Sequence, residues 1–122
     1  MRDFKFRAFV KGEMHYNIVL LDNHFLIPYG PLKNKIDFSK KTPISDWSDN
    51  ELMQYTGLND NDGDEIFEGD IVYIAGTGNM QVLFDMSAWC FMNKNNIYFF
   101  NEMEWDNVGK VVGNIHQNKN LI

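Results

Sequence analysis

The stretch from Leu52 to Val72, LMQYTGLNDNDGDEIFEGDIV, constrains the fold of this chain more than any other. It opens on residues that favour strands, Gln54-Tyr55-Thr56 among them, and then meets two turn signals in quick succession. Asp60-Asn61-Asp62-Gly63-Asp64 is the first, since Asp and Asn bond their own backbone in tight turns and Gly accepts positive φ. Glu68-Gly69-Asp70 is the second, and it leads straight into Ile71-Val72-Tyr73-Ile74, a run of strand formers. Strand, turn and strand in this order point to a small, mainly β domain. A Ser48-Asp49-Asn50-Glu51 match to a helix capping box precedes the stretch. Too few residues separate Glu51 from Gly57 for a stable helix, so an extended segment is expected instead.

The flanks read the same way. Phe4, Phe6 and Ala8 alternate with Lys5, Arg7 and Phe9, the period of a half-buried strand. Lys11-Gly12-Glu13 supplies a turn, His15 to Leu21 reads as one strand, and Asp22-Asn23 turns the chain into His24-Phe25-Leu26-Ile27. On the C-terminal side, Gly76-Thr77-Gly78-Asn79 makes a two-glycine turn into Met80 to Phe84. Ala88 to Met92 and Ile97 to Phe100 form two further strands about an Asn93-Lys94-Asn95-Asn96 turn. Glu102 to Asp106 alternates again, and Lys110 to Ile115 is the last strand. Residues 1–50 therefore form an N-terminal β meander with a proline-bearing connection, and residues 51–122 a small SH3-like β barrel, as one compact unit with two lobes.

Residues 28–50 differ in character, with Pro28, Gly30, Pro31 and Pro43 spread among four lysines. Proline removes a ladder donor and fixes φ, so this is poor strand and poor helix. A long connection of this kind in a compact domain is either a tacked-down linker, held here by Ile36, Phe38 and Trp47, or a partner site. Lys33, Lys35, Lys40, Lys41 and Trp47 are its candidate contact residues.

Taken together, the start Phe4-Lys5-Phe6-Arg7-Ala8-Phe9, the central block and the end Val112-Gly113-Asn114-Ile115 closely resemble the YopX-like proteins of phages and prophages. The resemblance spans all but roughly residues 10–50. It implies an N-terminal meander followed by an SH3-like barrel, encoded by a phage or mobile element and working in a bacterial cytoplasm. It implies no active site. Tyr55, Gly57, Gly63, Gly69, Asp70, Gly113 and Asn114 are the motif residues, and turn geometry makes them fold determinants. The Gly-Asp strand entry also loosely resembles the KOW-type motifs of ribosomal and transcription proteins, a likeness of fold that does not fix function.

Charge narrows the partners. Residues 1–50 carry eight Lys or Arg against six Asp or Glu, whereas residues 51–122 carry three against eleven, giving a net charge of −6. Phosphate-backbone affinity comes from Lys and Arg displacing counterions, so nucleic acid is disfavoured, with a small basic patch in the first half as its one route. No stretch approaches the roughly 18 apolar residues of a membrane helix, and the start has no signal-peptide core. With Cys90 alone, no intrachain disulfide forms, and Trp89-Cys90-Phe91-Met92 is the setting of a buried, inert thiol.

Catalytic and metal chemistry find little support. Counting Asp60 as the first position of a calcium loop puts Glu65 where the invariant glycine belongs and Ile71 where the bidentate Glu belongs. His15, His24 and His116 lie apart, with no zinc spacing, and neither a nucleophile elbow nor a P-loop is present. Asp70 and Asp85 could pair only if the fold brought them together. No enzyme activity, cofactor or metal is expected. The surplus of aromatics, three Trp, ten Phe and five Tyr, points to interfaces. The sequence reading is thus a non-enzymatic protein-binding module that meets a host or phage protein and forms a homo-oligomer, with an accessory nucleic-acid-binding protein as the alternative.

Overall fold

A computed structural model describes residues 5–44, 52–85, 88–99 and 109–122. The chain divides into two units, one ending at Gln54 and the other starting at Tyr55. Every ladder between named strands is antiparallel. The mainly β expectation therefore holds.

In the N-terminal unit, β1 (Phe6–Val10) turns back into β2 (Glu13–Tyr16). The turn places Lys11 at φ +52° and Gly12 at φ +81°. Positive φ at both central residues is the hairpin turn whose twist matches its strands. Strands β3 (Val19–Leu21) and β4 (His24–Leu26) form a second hairpin, to which β5 (Thr42–Pro43) adds an edge. The other side of β1 pairs with the start of β6 (Leu52–Asn59), Ala8 standing opposite Leu52. Ala8, Ile18, Phe25 and Leu52 make the core, with Phe6, Val10, Ile27 and Ile44 packed around it.

Two expectations need correction here. His15 to Leu21 is not one strand, because Asn17 takes φ +59° and breaks it into β2 and β3. Asn tolerates the left-handed region because its short polar side chain bonds locally. The connection after β4 is not structureless either. Tyr29 and Lys35 exchange backbone hydrogen bonds of 2.9 and 3.2 Å, closing a small loop with Gly30 at φ +92° and Lys33 at φ +51°. Pro43 is accommodated because β5 pairs on one side only, where a missing N–H costs no ladder bond.

In the second unit, β6 continues and pairs with β7 (Glu65–Phe67). Tyr55 stands opposite Phe67 and Asn59 opposite Glu65, so β6 carries an insertion, with Gly57 at φ +89° inside it. A five-stranded sheet follows in the order β11-β10-β9-β8-β12, where β8 is Asp70–Ile74, β9 Gly78–Asp85, β10 Ala88–Met92, β11 Ile97–Phe99 and β12 Gly109–Asn114. Ile66, Val72, Ile74, Met80, Val82 and Phe91 form its core. Each such side chain contributes about 1.5–3 kcal/mol over leaving it in water. Cys90 is fully buried, as its setting implies. Among the described residues, no helix is long and apolar enough to cross a membrane. The capping-box residues Ser48 to Glu51, Trp47 and the Glu102 to Asp106 alternation lie outside the described residues.

Candidate functional site

The fold brings Asp60, Asp62 and Asp64 together, with one oxygen of each within 4.8 Å of the others. Asp60 is fully buried, and its oxygens are already engaged. Its Oδ1 accepts the backbone N–H groups of Asp62 and Asp64, both at 2.9 Å, and its Oδ2 accepts that of Val111 at 2.9 Å. Asn61 N–H donates to the Gly109 carbonyl at 2.9 Å, on the same edge of β12. That edge is the one turned away from β8, so the acidic turn covers groups that would otherwise template another strand. A Lys110 Nζ to Asp62 Oδ2 ion pair of 3.3 Å lies more than half exposed and adds little.

The family-motif residues share this structural character. Tyr55 is buried against Phe67, ring centres 5.5 Å apart, and its hydroxyl donates to Asn59 Oδ1 at 2.5 Å. Gly57, Gly63 and Gly69 all sit at φ near +85° to +89°. Asp70, 2% exposed, accepts the Phe67 N–H at 2.8 Å and fixes the turn before β8. Asn114 Oδ1 accepts the N–H groups of His116 and Gln117, each at 3.0 Å, capping the turn after β12. Gly113 faces Asn118, whose Oδ1 would lie 2.5 Å from any Cβ built there. The side chain of Asp85, the suggested partner of Asp70, lies outside the described residues. His15, His24 and His116 fall on β2, on β4 and in the turn after β12.

The lysine-bearing connection is organised differently, and here the chain leaves apolar surface in water. Lys33, Lys35, Lys40 and Lys41 are all exposed, and none makes an ion pair with a described residue. Between them stand Leu32, 80% exposed, Phe38, 63% exposed, and Tyr29, 49% exposed. The expectation that Phe38 tacks the connection down is therefore corrected, whereas Ile36 is partly covered. Ile27, Tyr29, Asp37 and Lys40 line a cleft of about 370 Å³ in the same unit. That is near the lower end of ligand-pocket volumes, roughly 300–1,000 Å³. Asp37 forms one wall through a local turn. Its Oδ1 accepts both the Ser39 hydroxyl at 2.6 Å and the Ser39 N–H at 3.0 Å, and Lys40 N–H donates to the Asp37 carbonyl at 3.1 Å. The Ser39 hydroxyl is the main reason the Asp37 carboxyl is held below its ordinary range, followed by the Ser39 N–H, with the Lys40 charge adding to both.

The lysines were legible in the sequence; the roles of Ile27, Tyr29, Leu32 and Asp37 were not. The available signal was Gly30-Pro31-Leu32-Lys33, in which an apolar residue sits inside a turn and has no sheet face to bury it.

Three comparisons with known proteins bear on this arrangement. The family model described as YopX protein matches residues 5–122. No curated protein matches the chain. Among solved structures, the chain is similar to the crystal structure of protein EF1440 from Enterococcus faecalis, with a TM-score of 0.66, 24% identity and 99% of each chain covered. At that identity the likeness speaks for the fold alone.

Proposed function

This chain belongs to the YopX family, and from that premise we propose that it is a non-enzymatic protein-binding module whose contact surface lies on the connection between β4 and β5. The observation that carries the reading is the exposure of Leu32, Phe38 and Tyr29 on this one connection, where Tyr29 also lines a cleft. Large apolar side chains held in water beside a concavity mark interaction sites, and aromatic anchors dominate interface energies. The carboxylates that could have suggested chemistry, Asp60 and Asp70, hold backbone N–H groups instead. The partner in this reading is a host or phage protein met in a bacterial cytoplasm, and the resemblance to phage and prophage proteins supports that choice. Self-association as a homo-oligomer belongs to the same proposal, and a light-scattering mass of one chain would remove it.

The test is affinity purification of the tagged protein from phage-infected lysate, beside an L32D/F38D variant. A nuclease-resistant partner that the variant loses supports the reading. Equal capture by both proteins sinks it.

A second reading, an accessory nucleic-acid-binding protein, draws on the four exposed lysines and the exposed Tyr29 and Phe38 rings of the same connection. Base stacking with backbone neutralisation is the recognition it would use. Retardation in a gel that vanishes between about 50 and 200 mM salt would favour it.

A further inference from the structure

We propose that the loop from Tyr29 to Lys35 is a preformed knob whose tip residue, Leu32, enters an acidic-rimmed apolar pocket on a partner protein, an inference that rests on the docking surface proposed above. The loop is closed by its own backbone. Tyr29 N–H donates to the Lys35 carbonyl at 2.9 Å, and Lys35 N–H donates to the Tyr29 carbonyl at 3.2 Å. Inside that pair, Lys33 N–H donates to the Gly30 carbonyl at 3.0 Å, a tight turn with Pro31 and Leu32 at its centre. Proline at the first central position fixes φ. The Lys35 methylenes lie across Gly30, where an added Cβ would meet Lys35 Cδ at 3.3 Å. Leu32 therefore stands at the tip of an ordered turn, 80% exposed. A turn fixed in advance loses little freedom on binding.

Shape and charge set the partner. A single apolar side chain on a convex tip leaves water only by entering a concave apolar site, so its complement is a pocket and not a flat face. Between Tyr29 and Lys35 the chain carries Lys33 and Lys35 and no acid. Both lysines are exposed, and neither makes an ion pair with a described residue. The next acid along the chain, Asp37, has Lys40 beside it to offset its charge. The loop thus carries two unopposed cations within three residues of Leu32, and acidic groups on the pocket rim would complement them, a match that gives specificity more than raw affinity. An anionic bilayer or a nucleic acid fits less well. The net charge of −6 opposes a long phosphate-bearing surface, whereas a pocket rim meets the loop alone.

The test puts the photo-cross-linker p-benzoylphenylalanine in place of Leu32 in the full chain, irradiates it at limiting concentration in phage-infected lysate, and maps the adducts by mass spectrometry. The same replacement at the exposed Lys119 is the control. The expected result is a protein adduct at position 32 that the control lacks, joined at apolar residues flanked by Asp or Glu. K33E/K35E should lower its yield at least about tenfold, since two exposed pairs turn from attraction to repulsion. K33R/K35R should preserve it. K33N/K35Q should fall between them with unchanged far-UV circular dichroism, because Asn tolerates the φ of +51° at Lys33 and the turn survives without the charges. A yield that K33E/K35E leaves unmoved or raises overturns the inference. So does an adduct with lipid, nucleic acid or a second copy of the chain, and so does the lack of any adduct. If position 32 gives no adduct while L32D/F38D still loses the lysate partner, the docking surface stands and the knob alone fails. Undiminished capture by L32D/F38D removes both.

Discussion

Asp60 and Val111 are 51 positions apart in the chain, yet the buried Asp60 Oδ2 accepts the Val111 N–H at 2.9 Å. The bond joins the acidic turn to the edge strand β12, just before the register shift between Val111 and Gly113. With Oδ1 taken by Asp62 and Asp64, one side chain satisfies three backbone donors. An Asn at this position has a single accepting oxygen, and its amide group would face an N–H. D60N is therefore expected to lower stability by about 2 kcal/mol, the scale for leaving a buried donor unsatisfied. Urea denaturation of the two proteins measures it, and an unchanged midpoint would show that the turn relaxes onto water without loss.

Gly113 gives a second, steric prediction. A Cβ there would lie 2.5 Å from Asn118 Oδ1, 2.7 Å from its Cγ and 2.9 Å from its Cβ. Asn118 cannot simply swing away, because its Oδ1 accepts the Asn114 N–H at 3.1 Å. G113A should cost about 1–3 kcal/mol, the range for forcing extra atoms into a packed site. A double-mutant cycle checks the cause. N118G removes all three contacts, so G113A should cost distinctly less in that background, whereas additive losses would place the strain elsewhere.

These two positions show which parts of the fold could be read from sequence. Gly63, Gly69 and the Asn93 turn were legible because their constraint is local: positive φ at the two glycines, and an Asn93 side chain that accepts the N–H groups of Asn95 and Asn96 at 2.9 Å each. Alternation located β1, and the strand-favouring Gln54-Tyr55-Thr56 located β6, for the same reason. The break at Asn17 was missed because the surrounding residues all favour strand, and the left-handed φ overrides that preference. The partner of Asp60 was invisible because nothing in residues 60–64 specifies contact with residue 111. In the connection, composition revealed the lysines, but the exposure of Leu32 depends on the Tyr29–Lys35 pairing that sets it in a loop.

The acidic turn also predicts a negative result with calcium. A cation at Asp60, Asp62 and Asp64 would have to share oxygens already accepting three N–H groups, and Asp62 lies beside Lys110. A site with a dissociation constant of about 1 mM would add roughly 1.4 kcal/mol at about 10 mM calcium. That is a rise of several degrees in Tm for a domain of this size. The expected outcome is no rise. Scanning calorimetry with calcium and with an equal ionic strength of sodium chloride separates specific binding from screening, and a calcium-specific increase would establish a metal site here.

Asp37 yields a prediction in pH at the cleft itself. Its carboxyl is held below the ordinary value of 3.8, first by the Ser39 hydroxyl, then by the Ser39 N–H, with Lys40 in support. A group depressed in the folded state stabilises the fold above its unfolded pKa, and that contribution is lost as pH falls through the folded pKa. The effect is thus complete at neutral pH and disappears only in acid below the usual Asp range. S39A removes the largest cause and leaves the backbone bond, so Asp37 should titrate at higher pH in S39A, short of a fully unperturbed carboxyl. Carboxyl carbon shifts followed by NMR across the acid range give the answer directly. An unmoved titration would mean that the backbone N–H and Lys40 hold the charge, and the turn would then be set by the chain and not by the serine.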